Sequence, residues 1–491
     1  MRSTTPVARL ACHHTRRSPG PPVRVFFRKD PRRRGVLVFM LRCFITLLFC
    51  TGLSLVNAVA GPLRAAVFDC DVTPAPGSLL VYDPMIRAGE LGLRCRGVVL
   101  MGKEAPIVLC AVDWIGIANE GFTEFRQAIA KAAGTEPQRV ALHSLHQHDS
   151  PICDFTTERI LRETGADPGP FRAEITRPLI QRVADTIRAA LPDAVEVTHL
   201  GWGEATVQEV ASNRRVFDGA GKFLGQRFTA CKDPVLRAAP EGLIDPLIKV
   251  LSLWKDDQPV AVLSYFATHP QSYYRTGVAN PDFPGIARFL RGQSVPAGLH
   301  VHFCGAGGNI GAGKYNDGAP ENRTVLAQRL ADGMTRAFAS TKKEPVTAED
   351  AGWNMVPVEL PANPALDEEA LEMALLAGKG RPDGILGTAM QLAWLRSSHK
   401  IEVSCLRLGS TRVLHLPGEL FVEYQLAAAA RRPDLHVAMA AYGEYGPGYI
   451  GTAKSYGEEG YEVKPTSSFV APESEAILTS AIHQLLGAPP H

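Results

Sequence analysis

The sequence predicts an α/β fold, in which mixed β-sheets are flanked by helices and the functional site is built from loops at strand ends. Apolar runs of strand length recur along the chain and end at Gly or Pro turns. Segments with apolar residues at helical spacing alternate with these runs. Histidine or carboxylate side chains directly follow several of the predicted strands. Polar groups collected at strand ends are a common origin of binding and catalytic sites.

Residues 1–60 differ from the rest of the chain and have the pattern of a targeting segment. Ten basic residues and one acid precede an apolar stretch that begins at Met40, and Ala58 and Ala60 then give a small-x-small cleavage signal. We expect residues 1–60 to be a leader with a signal peptide, Met40 to be the true start, and the mature protein to be exported to the periplasm or the extracellular space. An uncleaved anchor is the alternative, which the short apolar stretch disfavours.

Removal of the leader reverses the net charge. The chain has 52 basic and 50 acidic residues, of which residues 1–60 hold eleven and one, so residues 61–491 carry 41 and 49, a net charge of −8. An acidic mature protein is a poor candidate for binding nucleic acid. No segment of the sequence indicates a protein partner.

The cysteines after residue 60 are odd in number, widely spaced and without a C-x-x-C pair. Export permits disulfides, but several of these residues lie in apolar runs, so we expect mostly buried free thiols, one bridge at most, and no cysteine zinc knuckle. The residues are Cys70, Cys95, Cys110, Cys153, Cys231, Cys304 and Cys405.

Residues 61–491 are expected to form a single domain, since no linker or internal repeat divides them. Helical spacing predicts helices, and paired apolar runs joined by short turns predict hairpins. The predicted helices are 121–133, 171–191, 321–338, 365–376 and 420–430, and the predicted hairpins are 96–111, 247–266 and 401–416.

The stretch from His143 to Pro151 holds three histidines in six positions after a run of strand character. In an extended segment residues two apart point the same way, so His146 and His148 are expected to face one cleft. Two imidazoles at this spacing suit a zinc ion, or one ligand and one acid–base partner. A polar loop after a buried strand is the alternative.

Two further strands end in the same way. The run 261–267 leads to His269 and Pro270, and the predicted hairpin 401–416 leads to Pro417, Gly418 and Glu419. His269 is therefore a second candidate ligand. Glu419 is a third, although an acid in the first turn of a helix is also favoured by the helix dipole alone.

A glycine-rich run follows the strand 299–304. Gly308 to Lys314 fits the pattern of a phosphate-binding loop, but Tyr315 stands where Ser or Thr is needed to hold Mg²⁺. Glycines of this kind also let the backbone approach another group closely. We therefore disfavour nucleotide binding.

Taken in chain order, these stretches resemble the catalytic, N-terminal domain of the neutral (non-lysosomal, alkaline) ceramidase family. No single motif is specific to the family. The order of the motifs and the spacing from Tyr449 to Tyr461 are more specific. The similar segments are His143–Pro151 (Ser-Ala-Thr-His-Thr-His-Ser-Gly-Pro in the family), Phe266–Pro270 (Ala-x-His-Pro), Pro417–Leu420 (Pro-Gly-Glu-Phe), Gly448–Thr452 with Tyr461–Glu462, Asn213–Arg214, and Asp71–Pro74.

The resemblance implies an exported zinc-dependent amidohydrolase that cleaves an N-acyl-sphingosine-like lipid, or another acyl amide, with metal-activated water. Its substrate is then a small-molecule or lipid amide, which allows peripheral contact with a membrane. The implied zinc ligands are His146, His269, Glu419 and Tyr449. The implied catalytic residues are His148, which carries a proton to the leaving group, and Arg214 and Tyr461, which stabilise the oxyanion.

The chain is expected to depart from the family pattern in three respects. The family's catalytic serine falls on Gly311, and Asp149 and Ser150 replace a Ser-Gly pair. The family's C-terminal immunoglobulin-like domain is expected to be missing. The alternatives are a zinc hydrolase of the same fold acting on another amide or ester, and a scaffold that binds ligand without turnover.

Overall fold

The computed structural model describes residues 61–378 and 382–487. The predicted leader, 1–60, lies outside the described residues. The helices are α1 (Asn119–Ala133), α2 (Phe155–Glu163), α3 (Ala173–Ala190), α4 (Pro234–Ala238), α5 (Asp282–Ser294), α6 (Glu321–Ala339), α7 (Glu368–Ala377), α8 (Pro382–Leu395), α9 (Val422–Arg431), α10 (Ala453–Tyr456) and α11 (Ser474–Leu486).

The strands form three large sheets and several two-stranded pairs. They are β1 (Leu63–Asp71), β2 (Arg87–Ala88), β3 (Arg94–Met101), β4 (Ile107–Val112), β5 (Gly116–Ala118), β6 (Val140–Ser144), β7 (Ile152–Asp154), β8 (Val195–Val197), β9 (His199–Thr206), β10 (Ser212–Asn213), β11 (Arg215–Phe217), β12 (Phe223–Gln226), β13 (Leu247–Lys255), β14 (Gln258–Phe266), β15 (Val278–Ala279), β16 (Leu299–Cys304), β17 (Ile310–Gly311), β18 (Lys342–Pro345), β19 (Ala351–Glu359), β20 (Lys400–Leu408), β21 (Thr411–His415), β22 (Glu419–Leu420), β23 (His436–Ala440) and β24 (Tyr449–Ile450).

Each large sheet combines an antiparallel ladder with one parallel pair at its edge. The sheet orders are β6-β4-β3-β1-β8, β16-β14-β13-β9-β18 and β19-β20-β21-β23. The parallel pairs are β4 with β6, β14 with β16, and β21 with β23. Parallel neighbours end at the same edge of a sheet, so each sheet presents one edge where two chain segments leave together.

The three sheets share one apolar core, and helices cover their outer faces. Side chains of all three meet in this core, among them Ala111, Tyr265 and Ala440. On the outer faces, α1 and α3 pack on the first sheet, α5 and α6 on the second, and α9 and α11 on the third. Burial of apolar surface on both faces of each sheet, at about 25 cal/mol per Å², holds the strand ends in fixed relative positions.

The predicted fold class is confirmed: mixed sheets are flanked by helices. The predicted hairpins correspond to the pairs β3–β4, β13–β14 and β20–β21. The predicted helices correspond to α1, α3, α6, α7 and α9 within a few residues. The short helices α2, α4 and α10 were not predicted, and neither was α8, which is apolar on most sides and so lacks the 3.6-residue alternation. Helix α11 was also missed, although its buried residues recur at helical spacing.

All seven cysteines between residues 61 and 487 are buried and free, as expected for most of them. Among the described helices, none is both long and apolar enough to cross a membrane.

Candidate metal centre

The loops that follow the parallel strands β6, β14 and β21 bring His146, His269 and Glu419 together. The chain turns sharply at His146, which has a φ of +62°, a conformation that non-glycine residues seldom adopt. Glu419 lies in β22 directly opposite Tyr449 of β24, in parallel register. Glu419 is therefore in a short strand and not in the first turn of α9, so a helix-dipole role does not apply to it.

The atoms of this group have the spacing of metal ligands. Oε2 of Glu419 lies 3.3 Å from Nε2 of His146 and 3.1 Å from Nε2 of His269. Ligand bonds of about 2.0–2.1 Å at tetrahedral angles separate neighbouring ligand atoms by about 3.3 Å. All three side chains are almost fully buried. The donor set therefore fits a zinc ion.

Backbone carbonyls orient both imidazoles. Nδ1 of His146 lies 2.6 Å from the carbonyl oxygen of Ile115, and Nδ1 of His269 lies 3.0 Å from that of Gly307. A carbonyl oxygen only accepts, so Nδ1 carries a hydrogen, and in the neutral form of either ring the lone pair lies on Nε2. Metal-binding histidines are commonly oriented in this way.

The charge states of His269 and Glu419 favour a cation at the centre. Burial, and then the charge of Arg214, lower the pKa of His269 to about 4, so its ring is neutral at pH 7. Burial opposes ionisation of Glu419, but positive charge on the His146 and His269 rings, when present, holds the pKa of this carboxyl well below its usual range. Among the described residues, Oε2 of Glu419 has no hydrogen-bond partner. A carboxylate oxygen that faces imidazole lone pairs is stabilised by a cation between them.

His148 lies beside this group. His146, His148 and His269 each offer a nitrogen within 4.8 Å of the others. Nδ1 of His148 is 3.3 Å from the hydroxyl of Tyr82, and its Nε2 finds no partner in the part of the chain that the structure describes. Burial, and next the neighbouring histidines, lower the pKa of His148 well below its usual value. The free Nε2 suits either a metal ligand or a proton acceptor.

Tyr449 and Arg214 form the next layer. The hydroxyl of Tyr449 lies 3.4 Å from Nε2 of His269 and accepts a hydrogen bond of 3.0 Å from Nη1 of Arg214. The other side of the guanidinium faces Glu462, with 3.3 Å between Nε and Oε1. Arg214 is thus buried between a tyrosine and a carboxylate, and its pKa is raised although burial opposes this.

Tyr461 lies at the outer side of the site and is 38% exposed. Its ring meets the ring of Tyr449 edge-on, with the centroids 5.4 Å apart, and it lies near Phe228 at 5.9 Å. The structure therefore brings all seven predicted site residues into one cluster, in which Arg214 contacts Tyr449 and Tyr461 faces solvent.

Three residues of the site were missed by the sequence analysis. Tyr445 donates a hydrogen bond of 2.7 Å to Oε1 of Glu419. Tyr442 stacks on the ring of His146, with the centroids 4.7 Å apart. Glu462 pairs with Arg214. The segment Gly448–Thr452 and the Tyr461–Glu462 pair contain or adjoin these residues in the sequence, but sequence spacing did not indicate which atom each side chain contacts.

The glycine-rich run from Gly308 to Lys314 packs against the centre and does not form a phosphate loop. Nζ of Lys314 donates to the carbonyl oxygens of Arg237 and Ala239. A Cβ atom on Gly308 would collide with the carbonyl of Glu419. Glycine at position 308 therefore allows the close approach that positions the Glu419 backbone.

Fold and site together define an α/β protein in which a buried histidine group suited to metal binding lies at the ends of parallel strands, and comparison with solved structures assigns the fold to the neutral ceramidase type. A structure described as a ceramidase complexed with C2 has a TM-score of 0.63 and 15% identity, over 87% of this chain and 75% of the other. A neutral ceramidase from Pseudomonas aeruginosa has a TM-score of 0.62 and 17% identity, over 88% and 75%. No family model and no curated protein match the chain. The predicted resemblance is confirmed at the level of the fold.

Proposed function

We propose that the chain is an exported, zinc-dependent hydrolase that cleaves an amide bond, with a lipid-like acyl amide as its substrate. The observation that carries this proposal is the convergence of Glu419 Oε2 with the Nε2 atoms of His146 and His269 at 3.1–3.3 Å. In this proposal His146, His269 and Glu419 hold zinc, and Tyr449 is the fourth ligand. When bound, zinc would supply a water of lowered pKa and a Lewis acid for the carbonyl oxygen.

The proposed proton carrier is His148. Its Nε2 is buried without a partner among the described residues and lies close to His146 and His269, and burial lowers its pKa, so the ring is neutral before the attack. Tyr82 contacts Nδ1 and fixes the ring orientation. His148 then takes the proton of the attacking water and passes it to the departing amine.

Arg214 and Tyr461 are proposed to stabilise the oxyanion. Arg214 is buried and always charged, and it is held by hydrogen bonds to Tyr449 and to the carbonyl of Gly308. The ring of Tyr461 lies against the ring of Tyr449 on the solvent side of the site. A fixed cation and a hydroxyl beside the centre favour negative charge that develops during attack.

The glycine at position 311 supports the alternative in which a hydrolase of this fold acts on a different amide or ester. A Cβ atom here would lie 3.3 Å from the carbonyl oxygen of Phe228 and 3.4 Å from Cγ of Arg214. These distances leave little space for the serine that the resemblance places at this position. The mechanism proposed above needs no serine nucleophile.

Hydrolysis assays with and without metal test the proposed function. Purified protein is offered N-acyl-sphingosine, other acyl amides and acyl esters, before and after treatment with a chelator and after zinc is restored. We expect amide hydrolysis that is lost on chelation and recovered with zinc, and a loss of about 10²–10⁴-fold in kcat for His148→Gln. Stoichiometric zinc without turnover of any substrate would instead favour the non-catalytic scaffold.

A further inference from the structure

A cavity of about 780 Å³ opens beside the metal centre. Its walls are mostly apolar, with Leu80, Ile115, Ile152, Phe171, Leu386 and Met390 among them. Two tyrosines form the wall toward the centre: the Tyr82 hydroxyl contacts His148, and the Tyr445 hydroxyl donates to Glu419. A molecule in this cavity is therefore separated from the metal ligands by one layer of side chains.

The exposed side chain of Arg275 brings a positive charge to this cavity. Its guanidinium lies 4.9 Å from the centre of the Tyr82 ring. Asp167 also lines the cavity, but it is paired with Arg172 at 2.8 Å. In the described chain, residues 61–378 and 382–487, no carboxylate forms an ion pair with Arg275. A cation–π contact attracts the guanidinium without neutralising it.

The backbone of Arg275 is held in an unfavourable conformation. Its φ is +64°, in the left-handed region. The buried carboxylate of Asp149 accepts hydrogen bonds from N of Arg275 (2.9 Å), N of Thr276 (3.3 Å) and the hydroxyl of Thr276 (2.7 Å). Such conformations persist only where the surroundings enforce them, and they cluster at functional sites. Asp149 belongs to the loop that carries His146 and His148, so one loop positions both the histidines and Arg275.

We propose that Arg275 selects a substrate that carries an anionic group, and that the cavity holds the apolar chain of that substrate. This inference rests on the proposed function and names its substrate class: an acyl amide whose amine half bears a carboxylate, of the N-acyl amino acid type. A neutral lipid amide would leave the exposed guanidinium to water, whereas an anionic group would pair with it. A carboxylate accepts two parallel hydrogen bonds from arginine, which gives both orientation and affinity.

The first test compares two substrates that differ only in charge, an N-dodecanoyl amino acid and its primary carboxamide. We expect the native protein to favour the carboxylate in kcat/KM. In Arg275→Gln the preference should fall by about 10- to 100-fold, and Arg275→Lys should keep part of it. Arg87→Gln is the matched control, because Arg87 is exposed, pairs with Glu90 and does not line the cavity. An equal preference in native protein and Arg275→Gln would overturn the proposal and leave the hydrolase assignment intact.

Equilibrium binding separates this proposal from the proposed function. The probe is a sulfonamide analogue of the N-dodecanoyl amino acid, in which a sulfonyl group replaces the scissile carbonyl, beside its carboxamide. Tighter binding of the charged probe that is lost in Arg275→Gln would support the anion site, even if no acyl amide were hydrolysed. Equal affinity for both probes in the native protein would contradict it.

Discussion

Tyr445 donates a hydrogen bond of 2.7 Å to Oε1 of Glu419, which leaves Oε2 to face the two histidines. The two oxygens of one carboxylate thus have separate surroundings: one is held by Tyr445, and the other faces the two imidazoles. Partners of this kind orient metal ligands and tune their affinity.

We therefore expect Tyr445→Phe to weaken metal binding. The ring still fills its place, but the Glu419 carboxylate loses the bond that orients it, so affinity should fall by about 10- to 100-fold. Competition with a chromophoric chelator measures the change. Tyr315→Phe is the matched control, because the Tyr315 hydroxyl also donates to a glutamate, Glu241, which is not a candidate ligand. Unaltered affinity in Tyr445→Phe would show that this hydrogen bond has no part in metal binding.

Gly308→Ala should disturb the centre through the backbone. The added Cβ would collide with the carbonyl of Glu419 and lie 3.0 Å from that of Leu420, so this segment must move. We expect reduced metal content and a loss of stability of about 1–3 kcal/mol. Gly292→Ala in α5 is the control, since no atom lies within 4 Å of its added Cβ. Equal zinc content in both variants would contradict the role assigned to Gly308.

We expect the contributions of Arg214 and Glu462 to the free energy of unfolding to depend on each other. Both side chains are buried, and Gln226 also contacts Glu462. Arg214→Met leaves an unpaired buried carboxylate and should cost about 3–5 kcal/mol, while the double variant Arg214→Met with Glu462→Gln should recover part of this loss. Urea denaturation of the four proteins measures the coupling. Strictly additive losses would mean that the two charges do not depend on each other.

Part of the acid sensitivity of the fold is expected to come from His302 in β16. Its Nδ1 lies 2.9 Å from the hydroxyl of Ser264, and burial, with the charge of Arg288, lowers its pKa to about 3. The unfolded chain binds this proton near pH 6.5, so the stability contribution is complete above pH 6.5 and is lost as the pH falls toward 3. The full loss is on the order of 3–5 kcal/mol.

His302→Met should remove this contribution. Urea denaturation between pH 7 and pH 4 should show a smaller loss of the free energy of unfolding in the variant than in the native protein. Parallel pH curves for the two proteins would contradict the neutral, buried state of His302.

The sequence predicted the parts of this fold that depend on local pattern. The hairpin β13–β14 and helix α3 follow from periodicity within each segment. His146, His269 and Glu419 were indicated because each follows a strand at a Pro or Gly turn. These signals are local, and a single sequence is enough to read them.

Contacts between distant segments were not predictable in this way. The two-residue pairing of β22 with β24 places Glu419 opposite Tyr449, thirty positions away. Tyr445 reaches Glu419, and Asp149 holds Arg275, only after the sheets have packed. Spacing indicated that tyrosines lie near the site, but which oxygen each contacts depends on the tertiary arrangement.

Metal content tests the central claim most directly. The native protein, His146→Ala and His269→Ala are purified without added metal, and zinc is measured by elemental analysis. We predict about one zinc per chain in the native protein and none in either variant, with both variants still folded by circular dichroism. Full zinc retention in either variant, or no zinc in the native protein even after incubation with the metal, would contradict the assignment of this centre.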